Sequence, residues 1–320
     1  MKRLAILDDY LRLALRSADW SVLEGQCRID VIDRKLAVPD EAAEVLEPYH
    51  ILCHLRERTP MPRALLERLP NLEFMTVTGK AHRTLDLRAA TERGVVVSHV
   101  SSAVQGSNAT PELAWGLILA TARHIAYEDR GVREGAWQRT AGMLLDGKTL
   151  GLLGLGRVGQ RMAAIGQAFG MRVVAWSPNL TDEAAAAFQV RRVDKDELFA
   201  QSDVLSIHVV LSERSRHLVG GRELALMKRD ALLINTARGP IVDEAALVEA
   251  LAQGRLGGAG LDVFETEPLP AGHPLTRLDN VVLTPHLGYA TRETIAGFYQ
   301  ASVAGVRAYL AGAPVGVREE

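Results

Sequence analysis

A chain of 320 residues is long enough to form about two domains, each burying a hydrophobic core of its own. Its formal net charge is -2 and no long basic run accompanies it, so the sequence predicts neither a nucleic-acid partner nor a membrane surface. The two cysteines, Cys27 and Cys53, lie in separate apolar segments, which favours buried thiols over a disulfide or a metal site. The apolar stretch at residues 4–7 is too short for a signal peptide, and no segment approaches the roughly 20 apolar residues of a membrane helix. We therefore expect a cytoplasmic protein.

The N-terminal part of the chain alternates short apolar strands with helices. This pattern predicts an α/β unit with a mostly parallel sheet, whose ligand-facing points are the loops that follow strands. Arg56 and Gly79 lie in two such loops. The predicted strands cover residues 3–7, 27–32, 51–54, 72–77 and 95–97, and the predicted helices cover residues 41–46, 62–69 and 85–93.

A long apolar helix begins near residue 110 and is predicted to cross from one domain to the other. Thr110 is a good N-cap residue, and Pro111 suits the first helical position.

The chain is organised around a glycine motif, Gly154-Leu155-Gly156-Arg157-Val158-Gly159, which lies between a predicted strand at 148–153 and a predicted helix at 157–169. In a dinucleotide-binding unit Gly154 permits the tight turn, Gly156 lets the backbone approach a pyrophosphate, and Gly159 lets helix and strand pack closely. The pyrophosphate then lies at the positive end of the helix. Glycines are common in ordinary turns, so the flanking strand and helix are what favour cofactor binding.

Strands and helices continue to alternate as far as residue 284. This regularity predicts a doubly wound sheet that binds its ligands at the carboxyl ends of the strands. The predicted strands cover residues 172–176, 190–193, 204–208, 231–235, 258–262 and 281–284, and the helices between them include 195–200, 222–227 and 244–252. A last amphipathic helix, 293–310, is expected to pack back on the N-terminal domain.

Three charged residues stand just past the ends of these strands: Arg238, Glu267 and His286. A guanidinium can bind a carboxylate with two hydrogen bonds, and a histidine can exchange a proton with a hydroxyl group while a carboxylate favours its charged form. Taken singly, each residue is more often a surface charge or a turn residue. At one rim of a nucleotide-binding sheet, the three together predict a site for hydride exchange at a 2-hydroxy acid.

These motifs resemble the signatures of the D-isomer-specific 2-hydroxyacid dehydrogenases, a family that includes phosphoglycerate dehydrogenase and glyoxylate/hydroxypyruvate reductase. The resemblance covers nearly the whole chain. Besides the glycine motif it rests on residues 233–244 (LINTARGPIVDE), 261–268 (LDVFETEP) and 284–288 (TPHLG).

The resemblance implies a cofactor domain with a doubly wound parallel sheet, inserted into a flavodoxin-like substrate domain. The substrate domain would comprise residues 1–100 and 290–320, and the NAD(P)-binding domain residues 101–289. The active site would lie in the cleft, and the enzyme would be a homodimer.

Roles are implied position by position. Arg238 matches the arginine that binds the substrate carboxylate, His286 the acid/base, and Glu267 the acid that pairs with the histidine. Further substrate contacts are implied at Arg56, Gly79 and Lys80. The implied cofactor contacts are Gly154, Gly156, Arg157, Val158, Gly159, Ser177, Thr236, Ala237, Asp262 and Gly288.

Two departures from the family pattern bear on specificity. Residues 80–83 replace the more usual glycine- and aspartate-containing loop, so the resemblance does not name the substrate. Ser177 stands where an acid commonly bonds the ribose 2′-hydroxyl and repels a 2′-phosphate. Ser177, Asn179 and Thr181 can donate hydrogen bonds to a phosphate, although no arginine follows immediately, and Arg157 is the nearest basic candidate. The cofactor is therefore NAD(H) or NADP(H), and we predict that NADPH is accepted.

Two other functions remain open from the sequence. The first is a dehydrogenase-like binding protein that senses nucleotide, as co-repressors resembling this family do, with little turnover. The second is a different Rossmann enzyme, such as a hydrolase with tightly held NAD. The intact set of Arg238, Glu267 and His286 disfavours both.

Overall fold

The computed structural model describes residues 1–36, 38–56, 58–79, 84–101 and 108–318. The chain divides into two compact units, Met1–Ser107 with Thr291–Glu320 and Asn108–Ala290. Each unit is an α/β structure built on its own sheet, which confirms the predicted fold class.

The first unit contains five parallel strands in the order 2-1-3-4-5, the order of a flavodoxin-like sheet. Its two central strands consist entirely of buried residues, as expected where helices cover both faces of a parallel sheet. The strands are β1 (Lys2–Ile6), β2 (Cys27–Val31), β3 (Ile51–His54), β4 (Phe74–Thr78) and β5 (Val96–Val100), and the helices are α1 (Ala14–Ser17), α2 (Pro39–Leu46), α3 (Arg63–Leu66) and α4 (Leu87–Glu92). Both cysteines are buried free thiols, as predicted.

The second unit contains seven parallel strands. The strands are β6 (Thr149–Leu153), β7 (Arg172–Trp176), β8 (Arg191–Arg192), β9 (Val204–Ile207), β10 (Leu232–Asn235), β11 (Gly258–Leu261) and β12 (Val281–Leu283). Their order, β8-β7-β6-β9-β10-β11-β12, is that of a dinucleotide-binding sheet, in which the direction of winding reverses between β6 and β9. The helices are α5 (Ala109–Ala122), α6 (Ile125–Arg133), α7 (Arg157–Ala168), α8 (Asp182–Ala186), α9 (Lys195–Gln201), α10 (Gly221–Leu226) and α11 (Glu244–Ala252).

The start of α5 differs from the prediction. Asn108 occupies the N-cap position, and Thr110 lies inside the helix, where its hydroxyl donates to the carbonyl oxygen of Gly288 at 2.8 Å. The prediction of Thr110 as N-cap was wrong because this tertiary hydrogen bond uses the hydroxyl. Farther along, α5 packs tightly on β11, where a Cβ on Gly260 would lie 2.9 Å from the Cβ of Leu117.

The first unit is completed by the last helix, α12 (Arg292–Leu310), and by β13 (Val317–Arg318), which pairs antiparallel with β5. Thr291 caps α12, since its side chain accepts from the Thr294 N–H at 3.2 Å. Tyr299 of this helix donates its hydroxyl to Asp9 at 3.1 Å, which ties the helix to the loop after β1. Over the part of the chain that the structure describes, no helix combines the length and the apolar character needed to cross a membrane.

Candidate active site

The glycine motif forms the turn between β6 and α7. Gly154 has φ +106°, and a Cβ on it would lie 2.9 Å from the carbonyl of His208. A Cβ on Gly159 would overlap the carbonyl oxygen of Gly154. Gly156 differs, because a Cβ there would meet nothing within 4 Å among the described residues. Two of the glycines therefore allow the chain to pack on itself, and the third leaves open space beside the start of α7, where the backbone can approach a pyrophosphate.

The residues between these glycines have different surroundings. Arg157 is the exposed first residue of α7, and Val158 is half-buried against the core that α5 and β6 share. Ser177 is half-buried immediately after β7. Arg192, which the sequence analysis did not single out, donates from Nε to the carbonyl oxygen of Leu180 at 2.9 Å, in the loop that begins at Ser177.

A side-chain bridge holds the loop after β10 that carries Arg238. Asn235 donates from Nδ2 to the carbonyl oxygen of Arg238 at 3.0 Å and accepts from the Ala237 N–H at 3.0 Å. A Cβ on the next residue, Gly239, would overlap the carbonyl of Phe264, so the loops after β10 and β11 lie in direct contact. The buried hydroxyl of Thr236 has no hydrogen-bond partner among the described residues. An orphaned hydroxyl at the rim of the sheet fits the resemblance, which places Thr236 at the nicotinamide end of the cofactor.

Asp262 organises the loop that carries His286. Its buried carboxylate accepts hydrogen bonds from the Thr284 hydroxyl at 2.6 Å, the Leu287 N–H at 2.7 Å and the Gly288 N–H at 2.8 Å. Its carbonyl oxygen accepts from the His286 N–H at 3.0 Å. Burial raises the pKa of Asp262, although these hydrogen bonds oppose the rise. The structure thus gives Asp262 a structural role on both sides of His286, while its contact with the nicotinamide carboxamide stays a prediction.

His286 and Glu267 form a hydrogen-bonded pair. Nδ1 of His286 lies 2.6 Å from Oε2 of Glu267, and Oε1 of Glu267 accepts from the Phe264 N–H at 3.1 Å. The side chains are 33% and 35% exposed, so a ligand can reach a pair that water only partly screens. His286 has φ +57°, a left-handed conformation that the surrounding hydrogen bonds maintain.

Electrostatics connects Arg238 to this pair. Burial alone would raise the pKa of Glu267, but the hydrogen bond and charge of His286, the Phe264 N–H and the charge of Arg238 lower it overall. Glu267 is therefore a carboxylate over the neutral range, and it accepts the hydrogen bond that orients the imidazole beside it. The structure brings together all three residues predicted from the strand ends.

The predicted substrate contacts of the first unit are also neighbours. Arg56 adopts φ +63°, and its N–H donates to the Thr78 hydroxyl at 2.8 Å. Its guanidinium lies over Gly79, where a Cβ would overlap it. The Gly79 N–H already donates to the carbonyl oxygen of Val100 at 3.2 Å, so a substrate atom would have to share that donor. Lys80 lies outside the described residues.

A doubly wound nucleotide-binding sheet with an arginine and a histidine–carboxylate pair at its carboxyl rim is the arrangement that a nicotinamide-dependent oxidoreductase needs. The family profile described as D-isomer specific 2-hydroxyacid dehydrogenase, NAD binding domain, matches residues 115–288. The chain therefore belongs to the D-isomer-specific 2-hydroxyacid dehydrogenases, as its motifs predicted.

Individual relatives agree with this membership. The chain is 44% identical over 239 residues to a glyoxylate reductase of Aeropyrum pernix, covering 72% of this chain and 71% of that protein. It is 32% identical over 328 residues to a hydroxypyruvate reductase of Blautia hydrogenotrophica, covering 98% and 99%. The crystal structure of a phosphoglycerate oxidoreductase from Vibrio cholerae superposes with a TM-score of 0.91 at 34% identity, covering 98% of this chain and 100% of that one. The chain is thus an NAD(P)-dependent 2-hydroxyacid dehydrogenase, and a binding protein without turnover is not favoured.

Proposed function

We propose that the protein reduces a small 2-keto acid of the glyoxylate and hydroxypyruvate class to the 2-hydroxy acid, or catalyses the reverse oxidation. The observation that carries this proposal is the 2.6 Å hydrogen bond between His286 and Glu267. The charge of Arg238 also lowers the pKa of that carboxylate. Two relatives that are named as reductases of these two keto acids support the substrate class.

When bound, a nicotinamide cofactor would supply the hydride that reduces C2 of the keto acid. The planar guanidinium of Arg238 binds the substrate carboxylate and fixes the orientation of C2. With Nδ1 of His286 occupied by Glu267, Nε2 is the nitrogen that donates a proton to the substrate oxygen as it becomes a hydroxyl. Glu267 holds the imidazole in that orientation through the hydrogen bond to Nδ1.

Residues of the second unit hold the cofactor in this proposal. Gly156 and the start of α7 contact the pyrophosphate, and the orphaned hydroxyl of Thr236 forms a hydrogen bond with the nicotinamide end. The remaining proposed contacts are Gly154, Arg157, Val158, Gly159, Ser177, Ala237, Asp262 and Gly288.

Arg56 and Gly79 of the first unit are proposed substrate contacts, together with Lys80. A guanidinium at this point favours a keto acid that carries a second anionic or strongly polar group. Arg56→Ala should then raise KM for such acids. An unchanged KM for every active acid would exclude this role.

The proposed homodimer has a candidate surface on α6 and the segment that follows it. Val132 on α6 is 54% exposed, and Trp137 and Leu144 beyond it are 78% and 72% exposed. The segment is fixed to α6, since the Thr140 hydroxyl donates to Glu128 at 2.6 Å. Light scattering on wild type and Trp137→Glu tests this surface, because a dimer built on it should dissociate in the variant. A cytoplasmic location remains a prediction.

The proposed function is tested with a panel of 2-keto acids that includes glyoxylate, hydroxypyruvate and a phosphorylated acid, each assayed with NADH and with NADPH. We expect turnover of at least one acid. Tight cofactor binding without turnover of any member would instead indicate a nucleotide-sensing protein.

A further inference from the structure

The loop after β7 contains donors in the place where an acid commonly stands. Ser177 is half-buried at its start, and Asn179 and Thr181 are exposed farther along. Thr181 caps α8 by accepting from the Ala184 N–H at 3.2 Å, and its hydroxyl is already engaged in a hydrogen bond with the Glu183 side chain. Hydroxyl and amide donors alone do not neutralise a phosphate, which carries a charge of roughly -2 at neutral pH.

The register of the sheet supplies the missing positive charge. β8 runs parallel to β7, with Arg192 opposite Ala175 near the carboxyl end of β7. From there Arg192 reaches the loop, where its Nε donates to the carbonyl oxygen of Leu180 at 2.9 Å. This bond fixes the guanidinium against the loop that begins at Ser177.

The neighbouring arginine points elsewhere, because successive side chains of a strand face opposite sides of the sheet. Arg191 forms a 3.0 Å ion pair with Glu197 of α9 and also donates to Gln201. By contrast, Nη1 of Arg192 lies 3.7 Å from a carboxylate oxygen of Asp182. That separation is well beyond the roughly 2.7–2.9 Å of a charge-assisted hydrogen bond, so the contact does not satisfy the guanidinium.

We infer that Arg192, with Ser177 and Asn179, forms a subsite for a phosphate monoester on the 2′-oxygen of the cofactor's adenosine ribose. Arg192 is therefore a specificity-determining residue, and it makes NADPH a good ligand of this chain. Asp182 lowers the affinity for NADPH relative to NADH, because its carboxylate lies near the guanidinium and repels the phosphate. The inference rests on the proposed function only in that a nicotinamide dinucleotide occupies this sheet.

The test measures binding rather than turnover, so it remains decisive even if no keto acid is reduced. NADPH and NADH are titrated by nicotinamide fluorescence into wild type, Arg192→Gln and the matched control Arg191→Gln. Glutamine retains a donor for the Leu180 carbonyl but removes the charge. We expect Arg192→Gln to weaken NADPH binding by about 10- to 100-fold, the equivalent of one charge-assisted contact, while NADH affinity stays at the wild-type value.

The control variant and two further measurements test the same assignment. Arg191→Gln should leave both affinities unchanged, and Asp182→Asn should tighten NADPH selectively. The affinity of adenosine 2′,5′-bisphosphate, measured by its displacement of NADPH, should fall in Arg192→Gln by a factor similar to that for NADPH. Equal effects of the two arginine variants on NADPH, or strong rejection of NADPH by the wild type, would overturn the inference.

Discussion

Gly239 is the point at which the Arg238 loop touches the loop that carries Glu267, and adding one methyl group there should damage catalysis. In Gly239→Ala the new Cβ overlaps the carbonyl of Phe264 and lies 2.5 Å from the Glu265 nitrogen. The Phe264 carbonyl carbon would lie 2.0 Å from this Cβ, whereas non-bonded carbon atoms rest about 3.5 Å apart, so the two loops must separate by about 1.5 Å. The obstacle is backbone on both sides, and no side-chain rotation relieves it.

A displacement of this size between groups that orient and protonate the substrate costs about 10²-fold in rate. We therefore expect kcat to fall by about 10²-fold in Gly239→Ala, while the overpacking costs about 1–3 kcal/mol of stability. Steady-state kinetics gives the first quantity and urea unfolding the second. A single cooperative urea transition verifies that the variant is folded.

Gly116→Ala is the matched control. Gly116 lies inside α5, and a Cβ there meets nothing within 4 Å among the described residues. Alanine should leave kcat unchanged and stabilise the helix by about 0.5–1 kcal/mol. A kcat for Gly239→Ala equal to that of the wild type would show that the loop contact does not position Arg238.

The remaining predictions concern the proton donor, the carboxylate contact, the cofactor and acid stability. His286→Ala should lower kcat by roughly 10²–10⁴-fold with cofactor affinity nearly unchanged, and near-normal turnover would exclude His286 as the acid. Arg238→Lys should raise KM and lower kcat together, because a point charge does not reproduce a planar two-pronged contact; kinetics equal to wild type would argue against that contact. Ser177→Asp should shift the ratio of NADH to NADPH affinities toward NADH, and an unchanged ratio would show that Ser177 does not face the ribose. Burial lowers the pKa of His208 from 6.5 to about 3, so the folded state resists its protonation, and stability present above pH 6.5 is lost as the pH falls toward 3. His208→Asn should lose less unfolding free energy than wild type over that interval, as measured by urea titrations, whereas equal losses would contradict the assignment.

Local pattern was enough to locate most of the strands and longer helices of the fold. The strands at 51–54 and 172–176 and the helix at 244–252 have the bounds predicted from their apolar runs. Helix α6 was not predicted because few of its residues are buried and tertiary contacts hold it, such as the hydrogen bond from Thr140 to Glu128. Thr110 was misassigned for the same kind of reason, since its partner is Gly288, far away in sequence.

The candidate site was likewise predicted where local motifs mark its residues and missed where tertiary contacts position them. Arg238, Glu267 and His286 were found because each follows a strand and stands in a recognisable motif, and parallel strands bring such ends to one rim. The proximity of Arg192 to the Ser177 loop depends on the register of β8 against β7, which the sequence pattern does not specify. The three hydrogen bonds to the Asp262 carboxylate likewise come from residues more than twenty positions away.

We propose that the His286–Glu267 pair and Arg238 make this chain a working 2-keto acid reductase. The most direct measurement is the rate at which wild type and His286→Ala oxidise NADPH and NADH in the presence of glyoxylate or hydroxypyruvate. We expect sustained keto-acid-dependent oxidation by the wild type and its near loss in the variant, with NADPH affinity retained in both. Tight NADPH binding by the wild type without oxidation in the presence of either acid or any other member of the panel would contradict this proposal.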